Sequence, residues 1–226
     1  GIQADLAWTG SEIALSWPYQ DTSPNAEGVV LSLHDPSGAR STAPLVFSEG
    51  ITTHPSVVGA DWSTALLWKG DGLHLSVVDD EGVVTLDRVV LGESALARGI
   101  ATSSLGYGLI WNTTFFHFEK LSEAGEPLGE EMMLGEDIAA PHSSDIVWTR
   151  WGWAVAWQDG WHPEDGHSPE VKVAVVDDEI TVFTVGLVHP GGIAEPHLAW
   201  TGSEIVLLHN DRDGDPGLAG HVMLSR

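Results

Sequence analysis

The chain of 226 residues carries 33 Asp and Glu against 9 Lys and Arg, a formal charge of −24, and has no Cys. This balance excludes the basic footprint that nucleic-acid binding requires and disfavours anionic membrane surfaces; the missing Cys removes disulfides, thiolate metal sites and a Cys nucleophile together. With 42% hydrophobic and 19% charged residues the composition is that of a folded domain, and no apolar run is long enough to span a bilayer.

In chain order, a short strand at Leu6–Trp8 leads through the hairpin-type turn Thr9-Gly10-Ser11 into a second strand. There Ile13, Leu15 and Trp17 alternate with Ala14 and Ser16, the period of two expected of a half-buried strand. A loop from Pro18 to Ala26 follows. The next copy of this pattern ends in Trp68 and continues through the minimal loop Lys69-Gly70-Asp71 to a third strand at Leu73–Val78. The acidic turn Asp79-Asp80-Glu81-Gly82 then leads to a fourth strand at Val84–Leu91. A third copy ends in Trp111 before the short loop Asn112-Thr113-Thr114. The fourth copy, residues 145–157 (DIVWTRWGWAVAW), precedes a long loop from Gln158 to Pro169. The fifth, residues 197–209 (HLAWTGSEIVLLH), precedes a loop from Asn210 to Pro216 and a third strand from Gly220 to Ser225.

The run LAWTGSEI occurs twice without change, at residues 6–13 and 198–205, and the anchors Trp17, Trp68, Trp111, Trp157 and His209 recur at spacings of 43 to 52 residues. Four strands in a repeat of that length make one propeller blade, whereas helical repeats would show a period of 3.6. The expected fold is an all-β, five-bladed β-propeller with blades of about four antiparallel strands. The blades fall at residues 1–50, 51–94, 95–138, 139–192 and 193–226, in a single domain. The last blade is three-stranded unless the chain continues.

At LAWTGSEIALSW, DIVWTRWGWAVAWQD and HLAWTGSEIVLLHNDRDG the sequence resembles a repeat of secreted propeller-like proteins of myxobacteria and related bacteria. The resemblance is clear in repeats 1, 4 and 5 and faint in 2 and 3. It implies a propeller fold and an exported location, extracellular, cell-surface or periplasmic, and it brings no catalytic residues. In size and blade count the chain is also similar in architecture to small five-bladed lectins of the tachylectin type.

In such a fold the loops between second and third strands share one face, and loops on a rigid frame are where function concentrates. The long ones belong to repeats 1, 4 and 5. Asp21 lies in the first. The fourth holds Asp159, Trp161, His162 and His167, where an indole could stack on a sugar ring and imidazoles with carboxylates could hold a metal; the alternative is a solvated polar loop. His209 opens the fifth, in which Asp211, Asp213 and Asp215 alternate as carboxylates do in calcium loops, although Asp and Gly also simply favour turns. Seven His (His54, His142, His162, His167, His189, His197 and His209) are expected on this face. The repeated Trp residues are assigned to packing between blades, while Trp62 and Trp151 fall in first-hairpin turns on the opposite face.

The expected function is a non-catalytic binding or scaffold module recognising a glycan or a protein through the long loops. The alternative is a glycoside hydrolase using carboxylates on the innermost strands. No cofactor is expected, calcium or another divalent metal being the one candidate; no nucleic-acid partner or membrane insertion is expected, and the chain is expected to be a monomer.

Overall fold

The computed structural model describes residues 4–20, 27–47, 55–60, 63–91, 96–113, 115–135, 144–159, 170–187, 195–210 and 219–224. Every regular element among them is a strand, and the strands form five antiparallel sheets, each made from consecutive segments of the chain.

The first sheet is β1 (Asp5–Trp8), β2 (Ile13–Gln20), β3 (Glu27–His34) and β4 (Leu45–Phe47), and the second is β5 (Ser56–Ala60), β6 (Ser63–Lys69), β7 (Leu73–Asp79) and β8 (Val84–Leu91). The third comprises β9 (Leu96–Ser103), β10 (Gly106–Asn112), β11 (Phe116–Leu121) and β12 (Met132–Gly135). The fourth comprises β13 (Ser144–Thr149), β14 (Gly152–Asp159), β15 (Glu170–Val176) and β16 (Ile180–Leu187). The fifth has three strands among the described residues: β17 (His197–Trp200), β18 (Ile205–Asn210) and β19 (Ala219–Leu224). The five sheets coincide with the five repeats. The sequence places the loops of repeats 1 and 4 too early, because β2 runs through Pro18 to Gln20 and β14 through Gln158 to Asp159. Pro18 is tolerated there as a residue without an N–H to donate.

The chain divides into two units, one of Gly1–Tyr107 with Leu121–Leu128 and the other of Gly108–Lys120 with Gly129–Arg226; the division runs through the third sheet. In the first unit, β1, β5 and β9 lie side by side. In the second, β13 and β17 do the same.

Successive repeats stack by a size rule that follows from strand alternation. Each repeat has a trailing face toward the next repeat and a leading face toward the one before. In the first unit the trailing face of repeat 1 presents Ala7 and Ala14 with Leu31 and Leu33, and it receives Val57, Leu66 and Trp68 from the leading face of repeat 2. In the second unit Ala156, Val171 and Val173 of repeat 4 receive Leu198 and Leu207 of repeat 5. Small residues on the first two strands of one repeat thus accept large ones from the next, at the density of a core. Gly108 carries the rule furthest. A Cβ there would meet the Trp153 ring at 2.7 Å, so the indole of repeat 4 occupies the place of a missing side chain in repeat 3. Gly59, which stands where repeat 1 has Trp8, is equally constrained: a Cβ would approach the Trp8 carbonyl oxygen to 2.4 Å.

Trp68, Trp111 and Trp157 are fully buried, as packing anchors should be, whereas the anchor Trp17 is only half-buried. Trp8 departs from that expectation with 54% exposure.

Candidate functional site

The sequence points to the loop-side ends of the second and third strands. In repeat 4 the antiparallel register sets Asp159 opposite Glu170 and Trp157 opposite Lys172. The Lys172 ammonium forms an ion pair with Asp159 and stands 3.9 Å from Glu170 Oε2. A cation held between two carboxylates therefore forms the floor from which residues 160–169 depart. Asp159 is mostly covered and Glu170 more open, so Asp159 positions the lysine while Glu170 keeps acceptor capacity toward solvent.

In repeat 5 His209 takes the anchor position that is Trp elsewhere, opposite Gly220. Its Nδ1 is buried and has no hydrogen-bond partner among the described residues. Trp161, His162, His167, Asp21, Asp211, Asp213 and Asp215 lie outside the described residues, as do His54, His142, His189 and Trp62. Of the expected binding set the structure therefore describes Asp159 and His209. Among the described residues no group of three or more His, Asp or Glu is gathered as a metal site, and no helix is long and apolar enough to cross a membrane.

Two imidazoles that the sequence reading passed over occupy the equivalent place in repeats 2 and 3. His74 stacks on Trp68 with ring centroids 4.1 Å apart, and its Nε2 lies 2.9 Å from Asp71 Oδ1. That contact holds the Asp71 carboxyl below its ordinary pKa. His117 stacks on Trp111 at 5.3 Å, with Nε2 3.1 Å from Thr113 Oγ1 and Nδ1 2.5 Å from Glu131 Oε1. The signal was available: both His stand six residues after the anchor Trp. Glu119, two residues further along β11, has its carboxyl pushed up by burial and then by the neighbouring Glu131 charge.

The first strands carry a second recurring carboxylate. Asp5 Oδ2 accepts from the Val57 N–H at 2.8 Å, and Asp145 Oδ2 accepts from the Leu198 N–H at 2.7 Å. Each thereby ties the first strand of its repeat to that of the next. Each also uses Oδ1 to accept from the N–H of its own following residue, Leu6 or Ile146. Burial pushes the Asp5 carboxyl up, and the hydrogen bonds from Val57, Leu6 and Ser56 offset only part of that.

At the opposite end of the sheets Trp151 does not stand free. It meets Trp200 edge-on at 4.9 Å, and the Arg150 guanidinium lies 5.0 Å from the Trp151 ring centroid and 5.9 Å from that of Trp200. The turn tryptophan of repeat 4 therefore covers the first-strand tryptophan of repeat 5.

No protein-family model and no curated protein matches the chain. Solved structures do. The catalytic domain of a GH62 α-L-arabinofuranosidase from Coprinopsis cinerea is 10% identical with a TM-score of 0.54, over 100% of this chain and 90% of that one. A thermostable family-43 glycoside hydrolase is 10% identical with a TM-score of 0.50, over 100% and 90%. A neuraminidase-like protein of A/little yellow-shouldered bat/Guatemala is 8% identical with a TM-score of 0.56, over 99% and 83%. At these identities the likeness concerns the fold alone, and it supports a β-propeller architecture for this chain of repeated antiparallel sheets.

Proposed function

We propose that the five sheets are the blades of one propeller and that the protein is a binding module, exported from its cell, which recognises a glycan through the loop side of repeats 4, 5 and 1. The observation that carries this reading is the set of fold likenesses, which includes proteins named for glycan chemistry. Local chemistry supports it. The Asp159–Lys172–Glu170 group supplies charged donors and acceptors of the kind that orient sugar hydroxyls, and His209 adds an imidazole nitrogen without a partner among the described residues. Trp161 is the assigned stacking platform, and Asp21, His162 and His167 are assigned to the same binding set. Asp211, Asp213 and Asp215 are the assigned ligands if calcium takes part.

The test is a glycan array read with the intact protein, followed by calorimetry on any hit with Trp161→Ala and Asp159→Asn and with calcium removed. Binding weakened at least tenfold by Trp161→Ala supports the reading. An array without a hit, or binding indifferent to both variants, overturns it.

A hydrolase is the second reading. It is favoured by the glycosidases among the structural neighbours and by a carboxyl on a first strand, Asp5, that burial pushes upward, the direction in which a general acid is tuned. Both Asp5 and Asp145, however, spend their Oδ2 atoms on backbone N–H groups of the next repeat, as structural ties do. Release of nitrophenol from an aryl α-L-arabinofuranoside, abolished by Asp5→Asn, would establish it. No release by the wild type across a panel of aryl glycosides removes it.

A further inference from the structure

Repeats 1 and 5 pass from first to second strand through the same Thr-Gly-Ser-Glu, residues 9–12 and 201–204, with Gly10 and Gly202 both at positive φ. Repeat 4 departs from the pattern at this point. Arg150 and Trp151 stand in place of the Gly and the Ser, between Thr149 and Gly152, which the register sets opposite each other. The turn is closed by other groups. Thr149 Oγ1 donates to the Gly152 carbonyl oxygen at 2.8 Å and accepts from the Trp151 N–H at 3.0 Å, so neither the Arg150 nor the Trp151 side chain is needed to hold the hairpin. The guanidinium of the exposed Arg150 lies 5.0 Å and 5.9 Å from the ring centroids of Trp151 and Trp200, both of them half-buried. Other cations are spent within the fold: Arg88 on Glu126, Lys172 on Asp159, and Lys120 on the Asp177 carbonyl oxygen. Arg150 makes no hydrogen bond or ion pair among the described residues, in a chain that has 33 carboxylates to offer. Two indoles therefore hold a guanidinium whose N–H donors are uncommitted.

We infer that Arg150, Trp151 and Trp200 form a binding site for an acidic sugar, a pyranose that carries a carboxylate. The guanidinium fork matches a carboxylate bidentately, and the indole surface beside it receives the C–H face of the ring. Either chemistry alone uses half of the site. A simple carboxylate leaves the indoles wet, and a neutral sugar leaves the guanidinium without its anion. Because the rings already restrain Arg150, less side-chain freedom is lost when the ligand arrives. The formal charge of −24 repels anions from the molecule at large, so recognition comes from contact at this place and not from a long-range field. All three residues belong to the second unit, and Arg150 and Trp151 stand at the opposite end of β14 from Asp159. The site therefore does not rest on the loop-side binding proposed above.

Titration of the intact protein with trigalacturonate, followed through its indole N–H resonances, tests this. The Trp151 and Trp200 signals should shift and saturate, and the neutral galactose trisaccharide should bind roughly tenfold more weakly or not at all. Arg150→Gln should weaken trigalacturonate binding roughly tenfold while the rest of the spectrum stays as in the wild type, since the side chain is exposed. Arg150→Lys keeps the charge without the fork and should recover only part of the affinity. It carries the same test should the Gln variant fail to fold. Trp161→Ala should leave this binding unchanged, which separates the site from the loop side. No shift with trigalacturonate, equal binding of the neutral sugar, or equal shifts with a triglutamate peptide would each overturn the proposal. So would binding that survives Arg150→Gln and is lost in Trp161→Ala.

Discussion

Repeats 1 and 5 share eight consecutive residues yet bury opposite sides of the same strand. In β1 the covered positions are Asp5 and Ala7, and in β17 they are Leu198 and Trp200. The local code is the same in both, so the difference lies wholly in what stands next to each strand. Repeat 5 has repeat 4 in front of it, with Ala156, Val171 and Val173 shaped to receive leucines. Repeat 1 has repeat 2 behind it, so its small-residue face is the one that fills. An identical sequence can therefore contribute several kcal/mol in one repeat and little in the other, since burial rather than residue type sets the hydrophobic gain.

The largest expected effect comes from breaking that comparison directly. Leu207 and Leu15 are the same residue of the repeat, one fully buried and the other half-buried. Leu207→Ala should lower unfolding stability by about 2–5 kcal/mol, and Leu15→Ala by less than about half as much, in matched urea titrations. Equal losses would show that the two faces are covered alike.

An intermediate effect is expected at the ties between first strands. Asp5→Ala and Asp145→Ala each leave the N–H of the next repeat, Val57 or Leu198, without its acceptor, at about 1–3 kcal/mol. Asp5→Asn keeps an oxygen in place and removes a charge that burial disfavours, so it should cost much less. The pH dependence of Asp5 has a definite sign. Its folded pKa is raised, so the folded chain holds that proton more tightly than the unfolded chain does. The Asp5 contribution to stability is therefore full below the ordinary value of 3.8 and declines as pH rises through the folded pKa. Stability measured from pH 3 to 7 for wild type and Asp5→Asn checks this. The Asn variant should gain relative to wild type toward neutrality, and a gain toward acid instead would contradict the assignment.

The smallest effect sharpens the comparison at the level of one hydrogen bond. Trp68 Nε1 donates to Ser76 Oγ at 3.0 Å, and that hydroxyl donates to Asp87 Oδ1 at 2.7 Å. In repeat 4 the matching position is Ala174, and the buried Trp157 Nε1 has no partner among the described residues. Ala174→Ser should therefore raise stability by about 0.5–1 kcal/mol in thermal unfolding. Adding Val182→Asp, at the place of Asp87, completes the relay.

The sequence made some of this legible and hid the rest for identifiable reasons. The alternation at Ile13, Leu15 and Trp17, the turn at Thr9-Gly10-Ser11 and the recurrence of the anchors were enough to find each sheet, because these signals are local and repeat five times. The site was legible only in outline. Asp159 and His209 could be named from their place at loop mouths, but Lys172 and Glu170 could not, since only strand register sets Lys172 opposite Trp157 and brings its ammonium to Asp159. His74 and His117 were overlooked because a single His in a strand carries no pattern until the shared six-residue offset from Trp is noticed. Trp151 read only as a turn residue on the opposite face, because nothing in its own segment shows that Trp200, about fifty residues later, lies beneath it.

By itself, then, the sequence determined the strands, their grouping into five repeats and the alternation of large and small side chains, all of which follow from a period of two and the φ demands of tight turns. Tertiary structure alone decided which side of each alternating strand is buried. Alternation offers both faces equally, and only a neighbouring repeat with space of the right size removes one of them from water.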